Sequence, residues 1–400
     1  MYKIHIIGVG PEGPSSDMDA VLSPCGLIVT SERFHHLAGE KKIIPIAPVN
    51  NAIMSIKKAL SDSDVGVIVG GDPLFFGIGR LIIEKFGRGA VTVHPALSSM
   101  QIAFSRMNEP WDNAIFLSLH GKRPGNIPGL ILPYDKVFIL TDKTNNPSSI
   151  AAKLLNALTG GLEDEYRVFV GARLGMESEE VFDGGLEDAA RRVFPEPNVM
   201  IIIRNGKNGK DGSGPIFGLK ESDISHSRGL ITKDEVRAVA IHRLMPPKAG
   251  VLWDIGAGSG SISIETARLS SALEVYAIES DINEISNIRR NINAFRTWNV
   301  ISIHGEAPEI LSGLPAPDRV FIGGSGGRLA GIIAAVSSRL QKGGRVVVNA
   351  VTGKTKKDAP RLLAGAGFKI EISKISVTRR MTGQGTPLKL NTIDIITGIK

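Results

Sequence analysis

The chain has 400 residues, which is too long for one ordinary core and suits two domains. Hydrophobic residues make up 42% and charged residues 22%, a soluble globular composition, and the single cysteine, Cys25, excludes a disulfide framework or a thiolate metal site. The net charge of +7 admits nucleic acid as a partner, but aromatics are only 5% and no recognition-helix or base-stacking signature is present. A small, heavily carboxylated substrate explains the balance equally well.

The chain opens without the features of a secretory signal, and its apolar runs are too short to span a bilayer, so a cytoplasmic protein is expected, with Cys25 a small buried hydrophobe. From Tyr2 to Asn205, β-like runs recur: "YKIHIIGV", "GLIVTS", "VGVIVGG", "VTVHP", "AIFLSL", "KVFILTD", "RVFVGA" and "VMIIIR". Helix-compatible segments separate most of them, which argues for α/β layers. The first run enters a glycine loop, "GVGPEG", with Gly8, Gly10 and Gly13. No acidic residue ends a strand about twenty positions later, as a dinucleotide fold requires. Instead Gly71, Asp72 and Pro73 form a tight turn after a later strand, and "HPALSSMQIAFSRM" reads as strand end, turn and helix. His35 and His36 are adjacent, so they do not face one site, and a surface role is expected. His120 ends a strand beside Lys122 and Arg123, where it could contact a substrate carboxylate or bond a loop.

Residues 206–225, with "NGKNGKDGSG" at their start, read as a linker between domains 1–205 and 226–400. In the second domain "TKDE" has capping-box spacing, with Thr232 as N-cap and Glu235 reaching back. The helix after it would bury Val236, Val239, Ala240 and Leu244. The strand "GVLWDI" then enters "GAGSG", where Gly256, Gly258 and Gly260 permit close backbone approach. "LEVYAIE" is the next strand, and Glu279 ends it where a carboxylate grips ribose hydroxyls. The helix after it is capped at Ser280 or Asp281, with Ile282, Ile285, Ile288 and Ile292 on one side. Three further strands follow, and "FKIEISKIS" and "NTIDIITGI" read as an antiparallel pair at the sheet edge.

The spelling of the second loop decides between nucleotides. A dinucleotide brings a pyrophosphate, and the acidic Asp254 just before the loop is unwelcome to it. S-adenosylmethionine (SAM) carries an ammonium and a sulfonium, so Asp254 favours it. "GLITKDEVRA", "LWDIGAGSGSISIE", "AIESD", "GEAPE", "DRVFIGGSGG" and "GGRVVVNAVT" together resemble class I methyltransferases, and more narrowly the CbiT family of corrin biosynthesis. The resemblance implies SAM held by Asp254, Gly256, Gly258, Gly260 and Glu279, with Ala307 near the adenine. Asn349 ends a strand as either a cap or a substrate contact.

"IIGVGPEG", "SERFHHL", "VIVGGDPLFFGIG", "HPALSSMQIAFSRMNEPWDNAIFLSLHGK", "FILTD" and "GARLGMESEE" resemble tetrapyrrole (class III) methyltransferases of the CbiE family. That implies a second SAM in a cleft between two α/β lobes, near Gly8, Gly10, Gly71, Asp72, Ser98, Ser99 and Thr141. Glu12 stands where that family often has a glycine. The pairing resembles the fused CbiE–CbiT, CobL-like family. It implies an α/β, two-lobed class III fold joined to a Rossmann-like class I fold. It also implies methylation of a precorrin-6-type intermediate at carbons 5 and 15, with loss of CO₂ from the acetate on carbon 12. Two SAM sites, no metal, a tetrapyrrole substrate, no nucleic acid or membrane partner and a homo-oligomer are the corresponding expectations. Lys122, Arg123, Arg379 and Arg380 are candidates to hold substrate carboxylates, or are simply solvated charges. The alternatives are an NAD(P)-dependent oxidoreductase and an RNA methyltransferase.

Overall fold

Ile4, Ile6, Ile7 and Val9 are all buried because their strand, β1 (Ile4–Val9), lies inside a sheet covered on both faces. The computed structural model describes residues 2–159, 161–205, 215–227, 229, 231–380 and 387–400; the first part of the linker stretch, 206–214, lies outside them. The chain divides into two units: Met1–Pro124, Asp135–Ala152 and Glu163–Asn205, and Gly125–Tyr134, Lys153–Leu162 and Gly206–Lys400.

In the first unit, β1 joins β2 (Cys25–Thr30), β3 (Lys42–Pro45), β4 (Asp64–Gly70) and β5 (Val91–His94) in the order β3-β2-β4-β1-β5. Every pairing is parallel. Ile4 and Ile6 pack with Ala52, Ile56 and Ile82 on one face, while Ile7 and Val9 meet Met18, Leu22 and Phe34 on the other. Two covered faces explain why the strand reads as a continuous apolar run. Cys25 is buried in the second cluster, and burial pushes its thiol up to about 11.

A second sheet contains β6 (Ile115–Ser118), β7 (Lys136–Leu140), β8 (Tyr166–Ala172), β9 (Glu180–Gly185) and β10 (Asn198–Arg204), ordered β6-β7-β10-β8-β9. Only β6 and β7 pair in parallel. Strands β3 and β9 escaped the reading of apolar runs. Strand β3 has only four residues and both its ends are exposed, and β9 has two apolar residues in six, so neither forms an apolar run.

The second unit is built on β11 (Gly250–Ile255), β12 (Leu273–Glu279), β13 (Val300–His304), β14 (Arg319–Ile322), β15 (Arg345–Ala350) and β16 (Lys369–Ile375). A short ribbon pairs β17 (Thr378–Arg379) with β18 (Leu388–Lys389), and β19 (Ile393–Ile399) returns to the main sheet. The order is β13-β12-β11-β14-β15-β19-β16. The first five are parallel, and β19 runs antiparallel between β15 and β16. Thus the last two long strands do pair, with β16 at the edge.

Four local expectations differ from the structure. Lys233, not Thr232, is the N-cap of helix Asp234–Leu244, and no side chain caps it. The Thr232 carbonyl accepts from Arg237, and Glu235 is drawn to Arg379 instead of reaching back. Val239 is only half-buried while Ile241 is buried. Asp281 caps helix Ile282–Phe295, but Ile282 is exposed; Ile285, Ile288 and Ile292 form the buried face. Leu219 and Ile224, inside the stretch read as linker, are buried. No helix among the described residues is long and apolar enough to cross a membrane.

Candidate active sites

Each unit has a cavity at the carboxyl ends of its parallel strands, where open α/β sheets bind ligands. In the first unit its volume is about 420 Å³, and its lining includes Gly10, Gly71, Ser99, His120 and Thr141. The other expected residues act from behind the wall. A Cβ on Gly8 would lie 2.5 Å from the Gly71 carbonyl oxygen and 2.9 Å from Ala96 Cβ, so only glycine lets these segments close. Asp72 accepts the Leu74 N–H at 2.7 Å and shapes the turn. Ser98 caps helix Ser99–Met107 in a capping box with Gln101. Gly10 is different, because the nearest atom to its added Cβ is 3.7 Å away. Gly13, with φ +93°, donates to the Gly10 carbonyl and closes the loop, leaving Glu12 exposed at the tip.

Thr141 Oγ1 donates to the Asn198 carbonyl at 2.5 Å, and His120 Nδ1 lies 3.1 Å from the Thr141 carbonyl. His120 therefore bonds the loop and also lines the cavity. Asn198 and Arg33 line it too, and neither stood out in the sequence. Lys122 is exposed. Arg123 is already engaged, with Asp142 at 3.1 Å and Thr144 at 2.9 Å. The backbone N–H of Asn145, with those of Gly121 and Thr144 and the Arg123 guanidinium, holds the Asp142 carboxyl well below the usual range. Arg123 thus clamps a loop. His35 and His36 are exposed, as expected.

The second unit's cavity is about 250 Å³, lined by Gly256, Glu279, Ala307 and Gly324 among others. Gly256 has φ +66°, and a Cβ there would come within 2.5–2.7 Å of Gly324 backbone atoms. Gly258 has φ +55° with open space where its Cβ would be, and its N–H donates to Glu279 Oε2 at 2.8 Å. Gly260, φ +77°, is the N-cap of helix Ser261–Leu269. Glu279 Oε1 accepts from the Ser280 and Asp281 amides at 2.7 and 2.9 Å. Backbone amides thus fix this carboxylate at a strand end, and Oε2 keeps room for a ligand hydroxyl.

Asp254 departs from expectation. Along β11, Trp253 and Ile255 face one core, so Asp254 points to the opposite side. It is 1% exposed, does not line the cavity, and accepts from Ser263 Oγ at 2.6 Å and Ser263 N at 3.1 Å. Its other oxygen has no partner. Burial is the main reason its carboxyl rises from 3.8 to about 7, so it is no fixed anion at neutral pH. An acid held more tightly protonated in the folded state makes stability fall as pH rises between those values, here from 3.8 to about 7. The second unit should therefore be less stable to urea at pH 8 than at pH 5, by about 2–3 kcal/mol. Asp254→Asn should abolish that difference, and an equal slope in the mutant would refute the assignment.

Glu306 and Arg328 also line this cavity. Arg328 bonds Glu306 at 2.6 Å and Glu309 at 2.8 Å, tying the "GEAPE" turn to the "GGSGG" turn. Their i-to-j separation in sequence hid this. Asn349 lines an adjoining cleft of about 460 Å³ that shares Gly324 and Ser325 with the cavity. Arg379 does not reach either. It is held by Glu235 at 2.6 Å and Glu221 at 2.8 Å, which push its guanidinium up further. Arg380 is exposed and lines neither.

Among known proteins, residues 3–190 match the tetrapyrrole (corrin/porphyrin) methylases and residues 223–388 the precorrin methyltransferase domain. The chain is 31% identical over 396 residues to a precorrin-6Y C(5,15)-methyltransferase [decarboxylating] from a Sinorhizobium species, across 95% of this chain and 93% of that one. It is 36% identical over 185 residues to a "probable cobalt-precorrin-6B C(15)-methyltransferase (decarboxylating)" of Pyrobaculum calidifontis, across 45% of this chain and 94% of that one. It is also similar to the crystal structure of precorrin-6y C5,15-methyltransferase from Geobacter metallireducens, with 40% identity, TM-score 0.46, and coverage of 47% of this chain and 100% of that one.

Proposed function

The chain belongs to the precorrin-6Y C5,15-methyltransferase (decarboxylating) family, and from that membership we propose how its two units share the work. The protein is a bifunctional, SAM-dependent methyltransferase of cobalamin biosynthesis, and it methylates and decarboxylates a precorrin-6-type tetrapyrrole. Membership sets aside the dinucleotide and RNA readings of the glycine loops.

Our reading is that each unit binds its own SAM. The observation that carries it is the pair of differently built cavities at strand ends, one in each unit. In the first, Gly10, Gly71, Ser99 and Thr141 would face the ligand, while Gly8, Asp72 and Ser98 shape the wall. In the second, Gly256, Glu279 and Ala307 would face it, while Asp254, Gly258 and Gly260 shape the turn. A ribose hydroxyl suits the free capacity of Glu279 Oε2. SAM supplies an electrophilic methyl with its own leaving group. What this chain adds is alignment with a ring carbon and exclusion of water, and positioning alone contributes roughly 7–11 kcal/mol.

We assign carbon 5 to the first unit, and carbon 15 with the decarboxylation to the second. The shorter Pyrobaculum relative, whose name covers only carbon 15 and the decarboxylation, supports such a division. We place the boundary within 206–214, and propose a cytoplasmic homo-oligomer.

Titration calorimetry of the whole chain with SAM should give a stoichiometry near two. A stoichiometry of one, with Gly258→Arg abolishing all binding, would remove the first unit as a SAM site.

A further inference from the structure

The cleft beside the second cavity is built to receive an anion. Helix Gly353–Gly365 starts at its edge, with Thr352 as N-cap. Thr352 satisfies Thr355 N through its side chain at 3.2 Å and Lys356 N through its carbonyl at 3.0 Å. The N–H groups of Gly353 and Lys354 are left to face outward, as the first amides of a helix do. Lys354 lines the cleft with Thr352 and Thr355, whereas Gly353 does not, so the Lys354 amide is the one a ligand there can reach.

Two independent features point to a ligand there. The first is Asn349 at the end of β15, which lines the cleft, is 8% exposed, and has a buried amide oxygen without a partner. A buried amide is costly when unpaired, and by turning over it offers either N–H or oxygen. The second is charge. A helix start is positive and favours acidic side chains, yet this first turn has none and carries Lys354. Lys356 beside it is committed to the Thr392 carbonyl at 2.9 Å, whereas Lys354 is exposed at the rim. The one carboxylate in the lining, Asp358, lies 3.5 Å from Arg361, which also lines the cleft. The balance is cationic.

We propose that this cleft seats a carboxylate side chain of the macrocycle, held by Asn349 and by the amide and ammonium of Lys354. The inference rests on the second unit being a tetrapyrrole methyltransferase. It shares Gly324 and Ser325 with the proposed SAM cavity, so an anchored ring edge would lie beside the methyl donor. The anchored group is a carboxylate that the product retains. A seat of charge-assisted bonds stabilises the anion, which opposes loss of CO₂, and the departing acetate needs a less polar place.

The test has two arms. Binding of uroporphyrin, an octacarboxylic tetrapyrrole, is followed by fluorescence with its octamethyl ester as control. Turnover of a precorrin-6-type substrate is followed as CO₂ released. Lys354→Met should weaken uroporphyrin binding about tenfold and raise KM to the same extent, with kcat within twofold and SAM affinity unchanged. Lys354→Arg should restore most of the loss, and Asn349→Asp should weaken binding at least as much. Unchanged uroporphyrin binding in both Lys354→Met and Asn349→Asp overturns the seat. A fall in kcat at constant KM overturns the claim that the anchored group is retained. Wild-type protein that binds uroporphyrin through Lys354 but releases no CO₂ supports the seat and refutes only the assigned decarboxylation.

Discussion

Glu279→Ala is expected to turn a doubly methylated, decarboxylated product into a singly methylated one that keeps its acetate. Glu279 is where the second unit would take a ribose hydroxyl, and its carboxylate also fixes Gly258, Ser280 and Asp281. A hydrogen bond to a charged group contributes about 1.5–3 kcal/mol, so losing it weakens SAM on the order of 10–10²-fold. Glu279→Gln keeps acceptors for the loop and should lose less. The first unit shares none of these groups, so methylation at its carbon should continue. The opposite lesion is Gly10→Trp, which has room to enter the first cavity without breaking the strand contacts that Gly8 guards. Its product should carry one methyl and lack one CO₂. Mass spectrometry separates the two products. If Glu279→Ala releases CO₂ at the wild-type rate, decarboxylation does not belong to the second unit.

What was legible in the sequence follows the physics of parallel sheets. Their strands are buried on both faces and read as apolar runs, and their carboxyl ends carry the glycine turns. So Gly10, Gly71, Gly256 and Glu279 could be placed at strand ends, where each lines a cavity. Direction was not legible. Asp254 precedes the glycine loop as the SAM reading requires, but strand alternation turns it away, toward Ser263. Nor were partners distant in sequence. Arg379 and Arg123 read as free cations, but Glu235 and Asp142 had claimed them. Thr232 had a capping spelling, but a buried arginine competes for that turn. Strands β3 and β9 were missed because β3 has only four residues, exposed at both ends, and β9 has only two apolar residues in six.

That buried arginine is the site of the other large expected effect. Arg237 is 1% exposed, as is its partner Glu265, 2.7 Å away. The same guanidinium donates to the Leu219 and Thr232 carbonyls and to Asp234, and Glu265 accepts from the Gly218 and Leu219 amides. One ion pair thus fastens residues 218–219 and 232 to helix Ser261–Leu269. Arg237→Met would leave the Glu265 carboxylate buried without its countercharge, which costs about 3–5 kcal/mol, against about 5–15 kcal/mol for a whole domain. The urea midpoint of the second unit should fall by roughly 1–3 M. Trp253 and Trp298, both buried in this unit, report it by fluorescence. The double variant Arg237→Met with Glu265→Leu should recover much of the loss, because a buried pair is often no more stabilising than the apolar groups that replace it. A fragment starting at 226 should melt earlier than one starting at 215, because it lacks Leu219 and the amides that Glu265 binds. If Arg237→Met leaves the midpoint unchanged, or if both fragments melt together, the pair does not hold this segment and the unit begins further along the chain.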